Sequence, residues 1–339
     1  MNRYARILLA AAAIALCGMR SRAADSLAYR PDVHATIRAK YEYQPQMGKG
    51  RFEIRNARVS IQGRLLPVVN YKAEIDLSDE GAIRMLDTYV MFAAKRRFSL
   101  TVGQMRVPFT IDAHRSPHLQ YFANRSFIAK QVGNVRDVGA VAGFTFTGRC
   151  PITLEAGIFN GSGLTDQKNF WTSDYNFAVK AQAVMADRFH TVACFQRAGS
   201  DLAEVDMYDA GAYYESGRWH VEGEYLRKRY LHADFPAVNA VNAFAAYRLP
   251  LKRVFSAVTF LGRYDYMSDH SKGIADENGA LQADDPQRHR LTGGITLSLG
   301  TSKLQTDIRI NYERYVYRPD TRQPVSERNK AVIEFMCHF

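Results

Sequence analysis

The sequence predicts an all-β protein: a closed transmembrane antiparallel β-barrel of about sixteen strands. Three observations predict it. Short segments with one apolar and one charged face recur about sixteen times. The connections between them alternate long and short. An export signal stands at one end and an aromatic residue, Phe339, at the other.

The first element is the signal. Arg3 and Arg6 precede an apolar run from Ile7 to Leu16, too short to cross a bilayer as a helix. Ser21-Arg22-Ala23 fits a small-x-small cleavage site, so residues 1–23 are expected to be a signal peptide and 24–339 the barrel domain. Cys17 invites a lipoprotein reading, but Leu16 is too large for a good lipobox. No later stretch reaches the ~20 apolar residues of a spanning helix. The cysteines left after cleavage, Cys150, Cys194 and Cys337, describe neither a disulfide framework nor a zinc site.

Strands follow near 33–44, 50–63, 66–78, 83–94, 97–106, 138–148, 151–160 and 174–186. The second half gives 188–198, 207–216, 218–230, 238–248, 253–267, 288–299, 302–317 and 328–339. In the third, Val69, Tyr71, Ala73, Ile75 and Leu77 alternate with Asn70, Lys72, Glu74 and Asp76. In the fifteenth, Leu304, Thr306, Ile308, Ile310 and Tyr312 alternate with Gln305, Asp307, Arg309, Asn311 and Glu313. An Arg or Lys facing lipid at the midplane costs about 2–4 kcal/mol, so the charged faces must look into a wet interior. Around Arg55, Asn56 and Ala57 the phase slips, which a β-bulge would explain. The segment 83–94 has no clean alternation.

The short connections lie near 64–65, 95–96, 149–150, 187, 217, 249–252 and 300–301. The long ones include 107–137, 161–173, 199–206, 231–237, 268–287 and 318–327. Outer-membrane barrels sort their connections this way, with short periplasmic turns and longer extracellular loops. A soluble sandwich has no reason to.

The full chain carries a net charge of +11, and removing the signal's four arginines leaves +7. Export argues against a nucleic-acid partner. A basic interior or mouth that draws in anions suits an exported barrel better.

Four stretches carry a family resemblance: FEIRNARVSIQG at 52–63, VVNYKAEIDLSD at 68–79, LTVGQMRVPFT at 100–110 and RSFIAKQVGNVRDVGA at 125–140. Together they resemble the phosphate-selective porin O and P family. The most specific is the Gly-Gln-x-Lys/Arg-x-Pro-Phe pattern, here Gly103 to Phe109. The resemblance implies a homotrimer of sixteen-stranded barrels whose third long loop, 107–137, narrows the pore. It also implies arginines and lysines that attract anions, although the individual rungs of the family's arginine ladder are not assignable here.

Candidate pore and anion-binding residues are Arg106 at the loop's root, Arg115, Arg125, Lys130 and Arg136 within it, and Arg55, Arg58, Lys72 and Arg309 on the wall. Arginine's planar fork suits oxyanions and keeps its charge. The plainer reading is that each pairs with Glu53, Glu74, Asp76 or Asp307 and holds the loop. His114 and His118 are four apart, but Pro117 between them disfavours a helical metal pair, and no cofactor is expected. The acidic loop 268–287 lacks an ordered calcium-loop spacing and reads as solvated. Phe339, Phe335 and Ile333 are assigned to lipid contact and to recognition by the barrel assembly machinery. The expected function is a water-filled outer-membrane channel for small hydrophilic solutes, preferring anions, with phosphate-like anions among them. Two rivals stand beside it. A barrel lipid hydrolase would need a nucleophile and base, and no G-x-S-x-G is present. A non-conducting structural or adhesive barrel would need a plugged lumen.

Overall fold

The computed structural model describes residues 31–339 apart from 80–81, 95–96, 133–135, 165–166, 200–202 and 301–303. The expected signal segment lies outside the described residues. The strands are β1 (Asp32–Gln44), β2 (Lys49–Leu66), β3 (Val69–Asp79), β4 (Ala82–Ala94), β5 (Phe98–Arg106), β6 (Arg136–Phe146), β7 (Ile152–Phe159) and β8 (Asn176–Met185). They continue as β9 (Phe189–Ala198), β10 (Glu204–Glu215), β11 (Trp219–Leu231), β12 (Val238–Pro250), β13 (Ala257–Met267), β14 (Arg288–Gly300), β15 (Gln305–Tyr317) and β16 (Lys330–His338). Each pairs antiparallel with its chain neighbours, and β1 pairs with β16, so the sheet closes on itself. All sixteen expected strands are present. The long–short alternation holds with two corrections: β3 and β4 are joined by only two residues on the long side, and the connections on either side of β12, 232–237 and 251–256, are equally long. Phe339 extends the closure beyond β16, its backbone exchanging hydrogen bonds of 2.8 and 3.1 Å with Ala35.

The expected faces are found. On β15, Asp307, Arg309, Asn311 and Glu313 are buried inside while Ile310 and Tyr312 are exposed outside. On β16, Ile333 and Phe335 point outward and Glu334 is fully buried inward. The expected phase slip is a bulge. Arg38 faces Asn56 and Ala39 faces Ile54, so Arg55 is the extra residue. The disorder of pattern in β4 has the same cause. Leu86 and Asp87 together oppose the single residue Glu74, and both are buried. A bulge sends two successive side chains to one face, which period-two reading cannot follow.

The Gly103 to Phe109 pattern is legible as geometry. Gly103 has φ +135°, and a Cβ there would stand 2.3 Å from the Thr88 carbonyl oxygen. Gln104 donates its amide to the carbonyl oxygens of Leu86 and, at 2.8 Å, of Met85, which the β4 bulge frees from the ladder. Arg106 donates to the carbonyl oxygens of His114 and Ala113 in the segment that follows. Pro108 carries no donor with which to extend the ladder. Phe109 is buried.

The segment from Val107 to Val132 turns inward through two 3-10 turns, Asp112–His114 and Pro117–Leu119, and a π-helical turn, Ile128–Val132. Strand β6 starts two residues earlier than expected because Arg136 and Asp137 pair with Arg106 and Met105. The interior is also not wet all round. Phe109, Ile111, Phe127, Ile128 and Val132 of this inner loop form one apolar core with wall residues such as Phe159, Val192, Met207, Leu226, Ala240 and Met267. Gly211 makes room for it, because a Cβ there would meet the Ile111 side chain at 2.6 Å and the Gly223 carbonyl oxygen at 2.8 Å.

Replacing Gly103 by Ala should lower the stability of the folded barrel by about 1–3 kcal/mol, from the disfavoured φ and the clash with Thr88. Urea unfolding followed by the gel-mobility shift of the folded barrel measures it. Unchanged stability would show that β5 can move away from β4 at no cost.

Candidate functional site

The inner loop is tied to the wall from β8 round to β1. Lys180 donates to the Thr110 carbonyl oxygen at 2.9 Å on β8. On β11, Arg115 forms a two-pronged ion pair with Glu222. The Phe127 amide donates to Asp265 at 3.3 Å on β13, and Arg290 of β14 donates to the Arg125 carbonyl oxygen at 2.7 Å. On β15, Asn311 accepts from the Ala123 amide at 2.9 Å. Arg38 of β1 donates to Gln120 at 2.6 Å and to the Ala123 carbonyl oxygen at 2.8 Å. Phe127 lies between the guanidinium groups of Arg288 and Arg290, 4.6 and 4.5 Å from its ring centre.

Beneath these contacts runs a chain of buried ion pairs. Glu334 binds Arg38 at 2.6 Å and Arg309 at 2.7 Å. Asp265 binds Arg263 and Arg290, both at 2.8 Å. Lys330 reaches Glu42 at 3.3 Å and Glu313 at 3.8 Å. Opposite charges on facing strands thus neutralise one another in a region that water does not fill. A buried charge without its partner would be costly.

The open space lies on the other side, between the loop and β1–β4. It is a cavity of about 1010 Å³. Arg38, Arg51, Arg55, Arg58, Arg84, Arg125 and Arg136 line it, against the carboxylates of Glu53 and Asp76. A second space of about 250 Å³, lined by His34, Lys72, Glu74, His118 and His338, shares Arg58 and Pro117 with the first.

The expected residues divide accordingly. Arg55, Arg58, Arg125 and Arg136 line the large cavity, and Lys72 lines the smaller one. The bulge directs Arg55 inward, where its nearest acid is Glu53 at 3.7 Å. Arg58 is held by Asp76 at 2.9 Å and Arg136 by Asp87 at 2.7 Å. Arg125 donates to the carbonyl oxygens of Asp112 and Arg115. Lys72 bridges Glu74 at 2.8 Å and Asp87 at 3.0 Å.

Arg106, Arg115, Lys130 and Arg309 are not among the residues that line the large cavity. Arg106 braces the loop's own backbone. Arg115 also stacks over Tyr121 and Phe244. Lys130 pairs with Glu327 at 2.9 Å, and Arg309 is buried against Glu334. Arg309 also lies 3.4 Å from Asp307, one of the acids expected from the sequence, whereas Glu222 beside Arg115 and Glu327 beside Lys130 are not among those acids.

The two loop histidines do not converge. His114 contacts the Val107 carbonyl oxygen and the Phe109 amide, while His118 stacks on His338 with ring centres 3.7 Å apart. Burial pushes His114 down to about 3. Burial, with His338 and His34 nearby, holds His118 at about 4. Both are therefore neutral at pH 7 and add nothing to the positive field. The acidic loop 268–287 is less solvated than expected: Asp285 is buried against Arg288 at 2.6 Å.

Sequence reasoning missed Arg38, Arg51 and Arg84. The signal for Arg38 was available, since it shares an inward phase with Lys40 and Glu42 on β1. Arg84 sits beside the irregular part of β4, where no face was assignable.

The family model for the phosphate-selective porins O and P matches residues 32–247. No curated protein matches the chain. Solved structures share its fold at low identity. An anion-selective porin from Comamonas acidovorans superposes with a TM-score of 0.63 at 9% identity, covering 91% of this chain and 98% of its own. In-vitro folded OmpT of Vibrio cholerae, in its trimer form, gives 0.61 at 11%, covering 91% and 99%. The outer membrane channel DcaP of Acinetobacter baumannii gives 0.59 at 12%, covering 91% and 96%.

Changing Glu334 to Ala leaves Arg38 in the interior without its acid and Arg309 with only Asp307, at 3.4 Å. Unfolding stability in lipid vesicles should fall by about 3–5 kcal/mol, the usual cost of breaking a buried pair from one side. A loss under about 1 kcal/mol would mean that water reaches the pair and that the loop is not locked there.

Proposed function

The chain belongs to the phosphate-selective porin O and P family of outer-membrane channels, and from that premise we propose that it passes small hydrophilic solutes with a preference for anions, phosphate-like anions among them. The observation that carries this reading is the charge of the open cavity, where seven arginines face two carboxylates. Pairing removes part of that charge. Arg38 is neutralised by Glu334, Arg58 by Asp76 and Arg136 by Asp87. Arg51 is held by Glu42 at 2.7 Å and shares Glu53 with Arg55, and both arginines remain partly in water. A low-dielectric wall focuses what is left over, so a modest excess concentrates anions in the passage.

In this reading residues 107–132 are the constriction. A solute enters the large cavity, passes between Arg58 and Pro117, and leaves through the smaller space beside His118 and His338. Arginine suits the task because its fork offers paired donors to oxyanions without titrating. The long connections face outward and both termini face the periplasm, after removal of the segment 1–23 as a signal peptide. The trimer form of the OmpT structure supports a homotrimer, and the anion-selective relative of like fold supports the anion preference. Phe339, with Phe335 and Ile333 on the lipid face, serves assembly rather than transport.

The reversal potential across a KCl gradient tests the preference. Wild type should favour chloride. Arg51→Gln and Arg55→Gln should each lower the chloride-to-potassium ratio about two- to fivefold, as expected for removing a charge worth roughly 0.5–1 kcal/mol at 4–8 Å in water. The effect should be largest at low salt. A wild-type pore that prefers potassium would remove the anion reading and leave the channel standing.

A further inference from the structure

The outer wall carries a second feature that the channel does not use. Across β12–β14 the outward positions are small: Ala243, Ala245, Gly262 and Gly293. They form the floor of a trough of about 870 Å³, walled by Tyr264 and Tyr312 among others. The floor is continuous across the strands, because Ala245 faces Gly262 and Gly262 faces Gly293. A smooth barrel wall would carry branched side chains there.

Arg314 closes one end of the trough. It points outward and is exposed, one position beyond the last β15–β16 pair, Glu313 with Lys330. No carboxylate among the described residues lies within ion-pair distance of it. An unpaired guanidinium at the edge of an apolar groove is complementary to a molecule with an anionic head and a hydrocarbon tail. Its position at the long-connection end places the head at the outer membrane surface, on the orientation given above. Tyr225, Tyr264 and Tyr312 lie toward that end of the same face, and Trp219 and Tyr247 toward the other. Such aromatic rows mark strands that meet lipid rather than protein.

We propose that this trough seats an acyl chain of a phosphorylated glycolipid of the outer leaflet, with a phosphate held by Arg314. The chain lies over Gly293, Gly262 and Ala245. The guanidinium supplies charge-assisted hydrogen bonds to the phosphate oxygens.

Native mass spectrometry of the full chain in detergent, with added bisphosphorylated lipid A, tests this. Wild type should retain one lipid, and retain it more strongly than phosphatidylglycerol or the dephosphorylated lipid. Arg314→Gln should weaken retention about tenfold, the scale of one lost charge-assisted contact. Gly293→Leu should weaken it by filling the trough. A Cβ at Gly293 meets nothing within 4 Å, so this variant should fold, and Ala245→Leu provides a second. Conductance should be unchanged in all three, which separates failure of this inference from failure of the channel reading. Equal retention by wild type and variants would overturn the proposal, as would equal retention of phosphatidylglycerol. Separation of subunits in Gly293→Leu would assign the trough to a second copy instead.

Discussion

A closed sheet of sixteen strands encloses more space than its own inward side chains fill, and everything functional here depends on how that space is divided. The division is made by docking residues 107–132 against the far wall. The loop brings Phe109, Ile111, Phe127 and Ile128 to an apolar patch on the inner faces of β7–β13. It also brings a row of backbone groups to charged side chains already paired with one another on β13–β16 and β1. Neither half would suffice alone. The apolar patch would be exposed in an open lumen, and Arg38 would lack acceptors for the donors that Glu334 does not take. Together they exclude water from one side and leave the passage on the other.

That arrangement explains why arginine does two jobs in one barrel. Where strands carry acids opposite, as at Glu334 and Asp265, the guanidinium groups are buried, neutralised and structural. Where a bulge or strand irregularity interrupts the pairing, as at Arg55, a guanidinium turns toward the cavity with only a loose ion pair, to Glu53 at 3.7 Å. The excess charge of the passage is therefore a product of backbone irregularity as much as of composition.

The strands were legible because a lipid-facing barrel enforces period two. The alternation of Ile310 and Tyr312 with Arg309 and Asn311 leaves little choice of face. The bulge at Arg55 was legible for the same reason, as a break in that rhythm. What was hidden is the partner of each charge. Arg115 and Arg125 stand ten residues apart in one basic loop, yet one is locked to Glu222 of β11 and the other lines the cavity. Nothing local distinguishes them, because the distinguishing residue lies about a hundred positions away. The apolar patch inside the barrel was hidden too, since Leu226 and Met267 interrupt a polar inward phase as isolated residues, and they meet the short inward pair Val192 and Cys194 of β9 only when the sheet closes.

Cysteine accessibility tests the division of the lumen most directly. In a background carrying Cys150→Ser and Cys337→Ser, one cysteine is placed at Arg55 in the cavity and, separately, one at Asn242, buried on the packed side. Single channels are then exposed to the anionic reagent sulfonatoethyl methanethiosulfonate. The account predicts rapid modification at position 55 with a fall in conductance, and no reaction at position 242. Equal reaction at both, or block from position 242 alone, would contradict it by showing that ions pass where the loop is said to be docked.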